Sequence, residues 1–310
     1  MIRPRDGALA AHIDAALNAF AKTRRNLPGI ATTERRRALQ EQIVESIHRV
    51  RYVEVVRGRP ISPRRGDPNN EIFDPIKAAL LNRQAGNVEE AFWLVFLFVH
   101  FGKHAHAGWR YVREVYGRLG DGGRWDWNAV SADPTGFRAW LHAHEAEIRR
   151  PGVPGGFGNH RKRESLRADT PKGTGAVVES YVAWVAPPRT HQQMIADAAN
   201  QSGNDARNTF DFLYRSMDAV IRFGRLARFD YLTMLGKLGL ANIIPGSPYL
   251  EGSSGPREGA ALLFGGKEST ETLDALVVEL DRELQVGMQV LEDSLCNWQK
   301  SPDEFVPFRG

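Results

Sequence analysis

"YLTMLGKLGLANIIPGSPYLEGSSGPREGAALLF", residues 231–264, decides the fold class. It reads as one apolar periodic stretch, a turn rich in glycine, serine and proline, and a second apolar stretch, with no strand-like alternation. Outward from it the same pattern recurs. "GALAAHIDAALNAFAK" is an amphipathic helix that breaks at "NLPGI", and "TTERRRALQEQIVESIHRVRYVEVV" is a second, long and Arg-rich on its wet face. "VEEAFWLVFLFVHF" is apolar all round, the mark of a buried central helix. Asn87, with Glu90 three residues later, spells a capping-box start for it. "DPTGFRAWLHAHEAEIRR" opens with Asp as N-cap and Pro at the first helical position. "ARNTFDFLYRSMDAVIRFG" and "RLARFDYLTMLGKLGL" continue the pattern. A last long helix, about 270–299, carries a core stripe at Leu273, Val277, Leu280, Leu284, Met288, Leu291, Leu295 and Trp298. The expected fold is all-α.

The 310 residues suffice for one large domain or two ordinary ones. Hydrophobic content of 42% and charged content of 25% are those of a soluble globular protein. The single cysteine, Cys296, excludes an intrachain disulfide, a four-thiolate iron–sulfur cluster and a cysteine-rich zinc site, and fits a reducing cytoplasm. Charge interrupts "MIRPRDGALAAHIDAAL", so no signal peptide is expected. The longest apolar run, "AFWLVFLFV" at 91–99, is too short to span a bilayer. A cytoplasmic location is the expectation. Residues 1–66 hold 14 Lys/Arg against 6 Asp/Glu, whereas 267–304 hold 3 against 10. A basic N-terminal part attracts a polyanion such as DNA, and it is equally what a solvated surface looks like. The expected division is a basic helical segment, 1–66, and a helical domain, 67–310, with room for a break near 151–175.

The turn within 251–266, "EGSSGPREGAALLFGG", admits three uses. A Walker phosphate loop fails on spacing, because Glu268 follows Lys267 and Ala261 stands where the first glycine belongs. A hairpin between two helices would let backbone amides at a helix N-terminus approach a DNA phosphate. Here the usual Gly-hydrophobic-Gly appears as Ser253-Ser254-Gly255, and a plain helix connection fits the composition as well. One spacing favours the hairpin: Asp274 stands 19 residues past Gly255, about where base-excising enzymes of the hairpin class place a catalytic carboxylate. Acids in a helix's first turn are also common for stability alone.

Other groups invite chemistry. "GFGNHRKRES" gathers Asn159, His160, Arg161, Lys162 and Arg163 in a glycine-rich loop suited to phosphates or a flipped base, or simply to solvent. "HFGKHAHAGW" offers His100, His104 and His106, but Gly102 weakens a helix there and no carboxylate lies near, so no metal site is expected. Asp218, with Arg222 four residues on, reads as an ion pair and as the reserve catalytic carboxylate.

"HFGKH", "GGFGNHRKRESL", "LYRSMDAVIRFGRLARFDYLTMLGKLGLA", "GSPYLEGSSGPREGAALLFGG" and "VGMQVLEDSLCNWQKSPD" together resemble the alpha-glutamyl/putrescinyl thymine pyrophosphorylase family, in its third clade. The resemblance implies a helix-hairpin-helix DNA glycosylase-like bundle acting on double-stranded DNA with modified pyrimidines, phage DNA above all; cleavage of the base–sugar bond requires no cofactor, and none is expected. It points to Gly255 and Pro256 as the hairpin, to Arg222, Arg225, Asp230 and Lys237, and to Trp298 and Lys300. Two chemistries stay open. One is excision of a modified base, as in defence against phage, with Asp274 or Asp218 stabilising the sugar cation and a donor such as His160 at the leaving base. The other is transfer of an amine that displaces pyrophosphate from an activated hydroxymethyl-pyrimidine. Excision is the favoured expectation, and a non-catalytic DNA-binding module is a third reading. Where some glycosylases carry a Schiff-base lysine this chain has Arg257, which stays protonated, so strand cleavage by that route is not expected.

Overall fold

The structure is a computed structural model and describes residues 3–149 and 165–307. Among the described residues there are fourteen α-helices and no strand: α1 (Gly7–Thr23), α2 (Thr33–Arg57), α3 (Pro75–Gln84), α4 (Val88–Phe101), α5 (Arg110–Tyr116), α6 (Trp127–Ala132), α7 (Pro134–Ile148), α8 (Thr174–Val185), α9 (His191–Gln201), α10 (Ala206–Ser216), α11 (Arg225–Leu238), α12 (Gly255–Phe264), α13 (Thr270–Leu284) and α14 (Met288–Trp298). The all-α expectation holds. No helix among the described residues is long and apolar enough to cross a membrane.

Two compact units divide the chain, one made of the residues up to Val55 together with those from Pro245 onward, the other of Val56–Ile244. Residue 66 therefore falls inside the second unit, as does the 151–175 stretch, part of which lies outside the described residues.

In the first unit α1 packs on α13, and α12 packs on α14 and α13 around a core of Ile13, Leu17, Phe20, Ile43, Leu263 and the whole 273–298 stripe. That stripe spans two helices rather than one. Gln285 adopts left-handed backbone (φ 53°), Gly287 follows at φ 91°, and Asp281 Oδ1 accepts the N–H groups of Val286 and Gly287 at 2.9 and 2.8 Å. The break preserves the spacing of threes and fours, so periodicity alone runs straight through it.

The opposite charges of the chain's two ends meet inside this unit. Arg35 bonds Asp303 at 2.7 Å, Arg49 bonds Asp293 at 2.8 Å, and Arg25 bonds Glu268. Arg36 pairs with Asp14 and Arg37 with Glu41. Three of the N-terminal arginines are thus paired with acids of the C-terminal part. The more exposed of these pairs contribute a few tenths to about 1 kcal/mol each, whereas the Glu41 and Asp293 carboxylates are buried.

In the second unit α4 is the hub, packed by α3, α5, α6, α9 and α11. Its apolar circumference is fully used: Phe92, Trp93, Leu94, Val95, Phe96 and Leu97 are all inaccessible to solvent. Phe96 stacks on Tyr181 with centroids 3.8 Å apart and on Phe223 at 5.0 Å. Trp93 donates its indole N–H to the Trp125 carbonyl at 2.7 Å, which satisfies the one polar atom that burial would strand. Asp133 caps α7 as expected, accepting the Gly136 N–H at 2.7 Å with Pro134 at the first position. α10 stops at Ser216, earlier than the sequence pattern implies, and a 3-10 turn at Met217–Ala219 follows.

Candidate functional site

The chemistry of the second unit gathers at the first turn of α4, where Glu89 and Glu90 precede the apolar run. The expected capping box does not form: Asn87 is the N-cap residue but makes no side-chain cap bond. Both glutamates turn instead to the N-termini of other helices, whose free N–H groups and dipoles attract a carboxylate.

Glu89 sits at the start of α9. It accepts the His191 main-chain N–H at 2.8 Å, the His191 Nδ1–H at 2.7 Å and the Gln192 N–H at 3.2 Å. Burial pulls this carboxyl upward, but the hydrogen bonds from His191 and Gln192 outweigh it, and it titrates below its ordinary value. Behind Glu89 a polar chain runs into the aromatic core. Because His191 Nδ1 donates to Glu89, its Nε2 accepts, and the Tyr181 hydroxyl donates to it at 2.7 Å. Tyr231 in turn donates to Tyr181 at 2.8 Å. His191 is fully buried between Phe92, stacked at 4.8 Å, and Trp127 at 4.4 Å. Burial lowers the His191 value despite the facing carboxylate, so the imidazole is neutral, and burial raises both tyrosines.

Glu90 differs. Its Oε2 accepts the Trp127 N–H at 2.6 Å at the start of α6, and its Oε1 accepts the Tyr116 hydroxyl at 2.7 Å. Burial is the largest influence, and with the nearby Asp126 it pushes the carboxyl up to about 7 against both hydrogen bonds. A carboxyl that changes charge near neutral pH can take up or give a proton there. It opens on a cavity of about 480 Å³ whose wall includes Glu89, Glu90, Asp126, Tyr116, Trp127 and Arg124, with the amides of Asn82, Asn87, Asn128 and Gln192. Three carboxylates share this cavity with one guanidinium, and that guanidinium already faces Asp67 at 3.6 Å. The cavity suits a cationic or multiply hydrogen-bonding group rather than a phosphate.

The residues expected from the sequence fall in both units. Asp274 lies in α13 of the first unit, in the second turn and not the first, since Ser269 is the N-cap. It is half-buried, and its two oxygens accept the Leu250 N–H at 3.3 and 3.1 Å. Asp218, in the second unit, is largely exposed and its described partner is Arg228 at 3.1 Å, while Arg222 lies in a turn at φ 64° instead of one helical turn on. Arg225 opens α11 with its guanidinium 4.9 Å from the Phe229 ring centroid, and Asp230 and Lys237 are half-buried further along α11. Lys300 is exposed and reaches Asn297 Oδ1 at 3.2 Å; Trp298 is core, bonded to the Pro302 carbonyl. Asn159, His160, Arg161 and Lys162 lie outside the described residues.

Gly255 and Pro256 open α12, and the reason for the glycine is packing. A Cβ there would stand 2.7 Å from Cys296 Sγ, and one at Gly259, a turn later, would overlap the Leu295 carbonyl. The two glycines let α12 lie close on α14.

His100 meets Thr174 Oγ1 at 2.9 Å, and His104 Nδ1 accepts the N–H groups of His106 and Ala107. Among the described residues no cluster of His, Cys, Asp and Glu is placed to hold a metal ion.

Sequence reasoning missed the Glu89–Glu90 site. The visible signal was two adjacent carboxylates set directly against the longest apolar run, a placement that forces one of them toward the core. No curated protein and no solved structure matches this chain. Its residues 34–310, which include the glutamate cavity, Asp218 and Asp274, match the alpha-glutamyl/putrescinyl thymine pyrophosphorylase family, clade 3, and the chain belongs to that family.

Proposed function

We propose that the protein transfers an amine onto an activated pyrimidine in DNA, with pyrophosphate as the leaving group. The acidic cavity around Glu89, Glu90 and Asp126 carries this reading, because an amine substrate arrives as an ammonium ion that such a cavity attracts. The family name, with its alpha-glutamyl and putrescinyl thymines, fits the same chemistry. A base inside a duplex is out of reach, so the target nucleotide is flipped out at a cost of a few kcal/mol. Glu90, titrating at about 7, takes a proton from the ammonium. The freed nitrogen lone pair attacks the exocyclic methylene carbon, the carbon–oxygen bond to pyrophosphate breaks, and pyrophosphate departs with that electron pair. Glu89, fixed by three N–H donors, stays ionised and holds the amine's far end or a second donor.

A second reading, excision of the modified base, is supported by Asp274, which the Leu250 N–H fixes as a positioned carboxylate. One experiment separates the two. Purified protein is incubated with unmodified, hydroxymethylated, glucosylated and pyrophosphorylated-hydroxymethyl DNA, with and without putrescine, and both pyrophosphate and abasic sites are measured. Amine transfer releases pyrophosphate only from activated DNA plus amine, and Asp274→Asn leaves that turnover intact. Abasic sites on a modified substrate, lost in Asp274→Asn, would move the assignment to a glycosylase; no product on any DNA would leave a binding module.

A further inference from the structure

We infer that the duplex-DNA backbone is bound by an arginine strip at the start of the second unit, formed by Arg57, Arg59, Arg64 and Arg65 with Arg83. Many arginines of the chain face a carboxylate. Arg25, Arg35, Arg36, Arg37 and Arg49 of the first unit each bond a carboxylate. In the second unit Arg110, Arg124, Arg138, Arg149, Arg215 and Arg228 do the same, but one segment does not. "RGRPISPRR", residues 57–65, carries four arginines and no acid. Among the described residues none of the four, nor Arg83, pairs with a carboxylate. Arg57 and Arg83 donate to main-chain carbonyls, of Lys237 at 3.0 Å and of Gly239 at 3.3 Å. Arg65 donates to the Ile72 carbonyl at 3.2 Å.

These carbonyl contacts hold the strip in shape without cancelling its charge. Arg57 and Arg83 converge on the C-terminal end of α11, where Gly239 takes left-handed backbone at φ 68° and a Cβ would stand 3.3 and 3.1 Å from their nitrogens. Each guanidinium has five N–H donors and uses one on a carbonyl here, so donors remain for an anion. Prolines 60 and 63 and a 3-10 turn at Pro63–Arg65 stiffen the segment between, so Arg59 and Arg64 are exposed on a backbone of restricted freedom. A run of uncompensated guanidiniums, three of them held by carbonyls, is what a polyanion recognises, and phosphate contacts position a protein on DNA without reading its sequence. The glutamate cavity repels phosphate; the strip attracts it. This assignment shares with the amine-transfer reading only the DNA substrate, and it is tested without any turnover.

The test is equilibrium binding of the full chain to unmodified and hydroxymethylated duplexes over 50–200 mM salt. Arg59 and Arg64 make no side-chain bond that the fold needs, so Arg59→Ala/Arg64→Ala folds normally. It lowers the slope of log K against log salt by about 0.9 per contact, which makes binding roughly tenfold less salt-sensitive over that range, equally on both DNAs. Arg35→Ala, whose partner is Asp303, leaves the slope unchanged. An unaltered slope in the double variant, or a loss confined to the modified duplex, would overturn the strip. Absence of any reaction product, by contrast, bears on the amine-transfer reading and leaves this one standing.

Discussion

Glu90→Gln lowers turnover about 10²–10⁴-fold, the usual worth of a positioned general base, while duplex binding is unchanged. The substitution keeps the side chain's shape. Its amide oxygen can still accept one of the two donors that Glu90 holds, from Tyr116 and Trp127, but it cannot take a proton. The pH dependence gives the stricter check. With the carboxyl at about 7, the protein is inactive where Glu90 is protonated, so activity rises with pH through about 7 and then levels. The variant's residual activity lacks that limb. Stability carries the mirror-image signature. A carboxyl raised from 4.5 in the unfolded chain to about 7 contributes stability that is complete below 4.5 and is lost as pH climbs through 7. That window amounts to roughly 3 kcal/mol. Denaturant unfolding at pH 4.5 and pH 8 measures it, and Glu90→Gln flattens it. An activity limb that persists in the variant would remove Glu90 from the chemistry.

Gly259→Ala destabilises the first unit by roughly 2 kcal/mol. Two effects oppose each other. Alanine in a helix interior gains about 1 kcal/mol over glycine from the lower entropy of the unfolded chain. Against it, the new methyl group overlaps the Leu295 carbonyl oxygen and stands 2.7 Å from its carbon, and backbone cannot rotate away as a side chain tip would. α12 must then lift from α14, and overpacking of this kind costs up to about 3 kcal/mol or more. Gly255→Ala costs less, because the atom in its way is the thiol of Cys296. A denaturation midpoint that rises in Gly259→Ala would show that the helices separate at little cost.

The elements that local signals govern were legible in the sequence. Asp133 followed by Pro134 starts α7 as read, and "AFWLVFLFV" is buried apart from a half-buried Phe98 because the run offers no polar face. The 273–298 stripe was core as expected, but its helix is two, since a kink at Gln285–Gly287 leaves the apolar spacing intact. The local signal there was Asp281, whose side chain captures the two N–H groups after the break. Asn87 and Glu90 illustrate the opposite failure, a local motif overridden from afar. Tyr116 and Trp127 outcompete the N-cap for the Glu90 carboxylate, and His191, 102 residues away, takes Glu89. No single-chain pattern encodes a pairing of that separation. Gly255 was read for its freedom near an anion, whereas its contact with α14 depends on a helix 33 positions further on.

The division of the chain also orders events during its synthesis. Val56–Ile244 is one uninterrupted segment, so it can reach its final contacts while the last helices are still inside the ribosome. The first unit cannot. Ile13, Leu17 and Ile43 are made first, yet they share one core with residues of α12, α13 and α14, which are made last. For most of translation those side chains wait uncovered, and closing so long a loop is slow. The paired charges of the two ends, Arg35 with Asp303 and Arg49 with Asp293, then steer the late helices onto the early ones, which gives the lopsided distribution of charge along the chain a role in assembly.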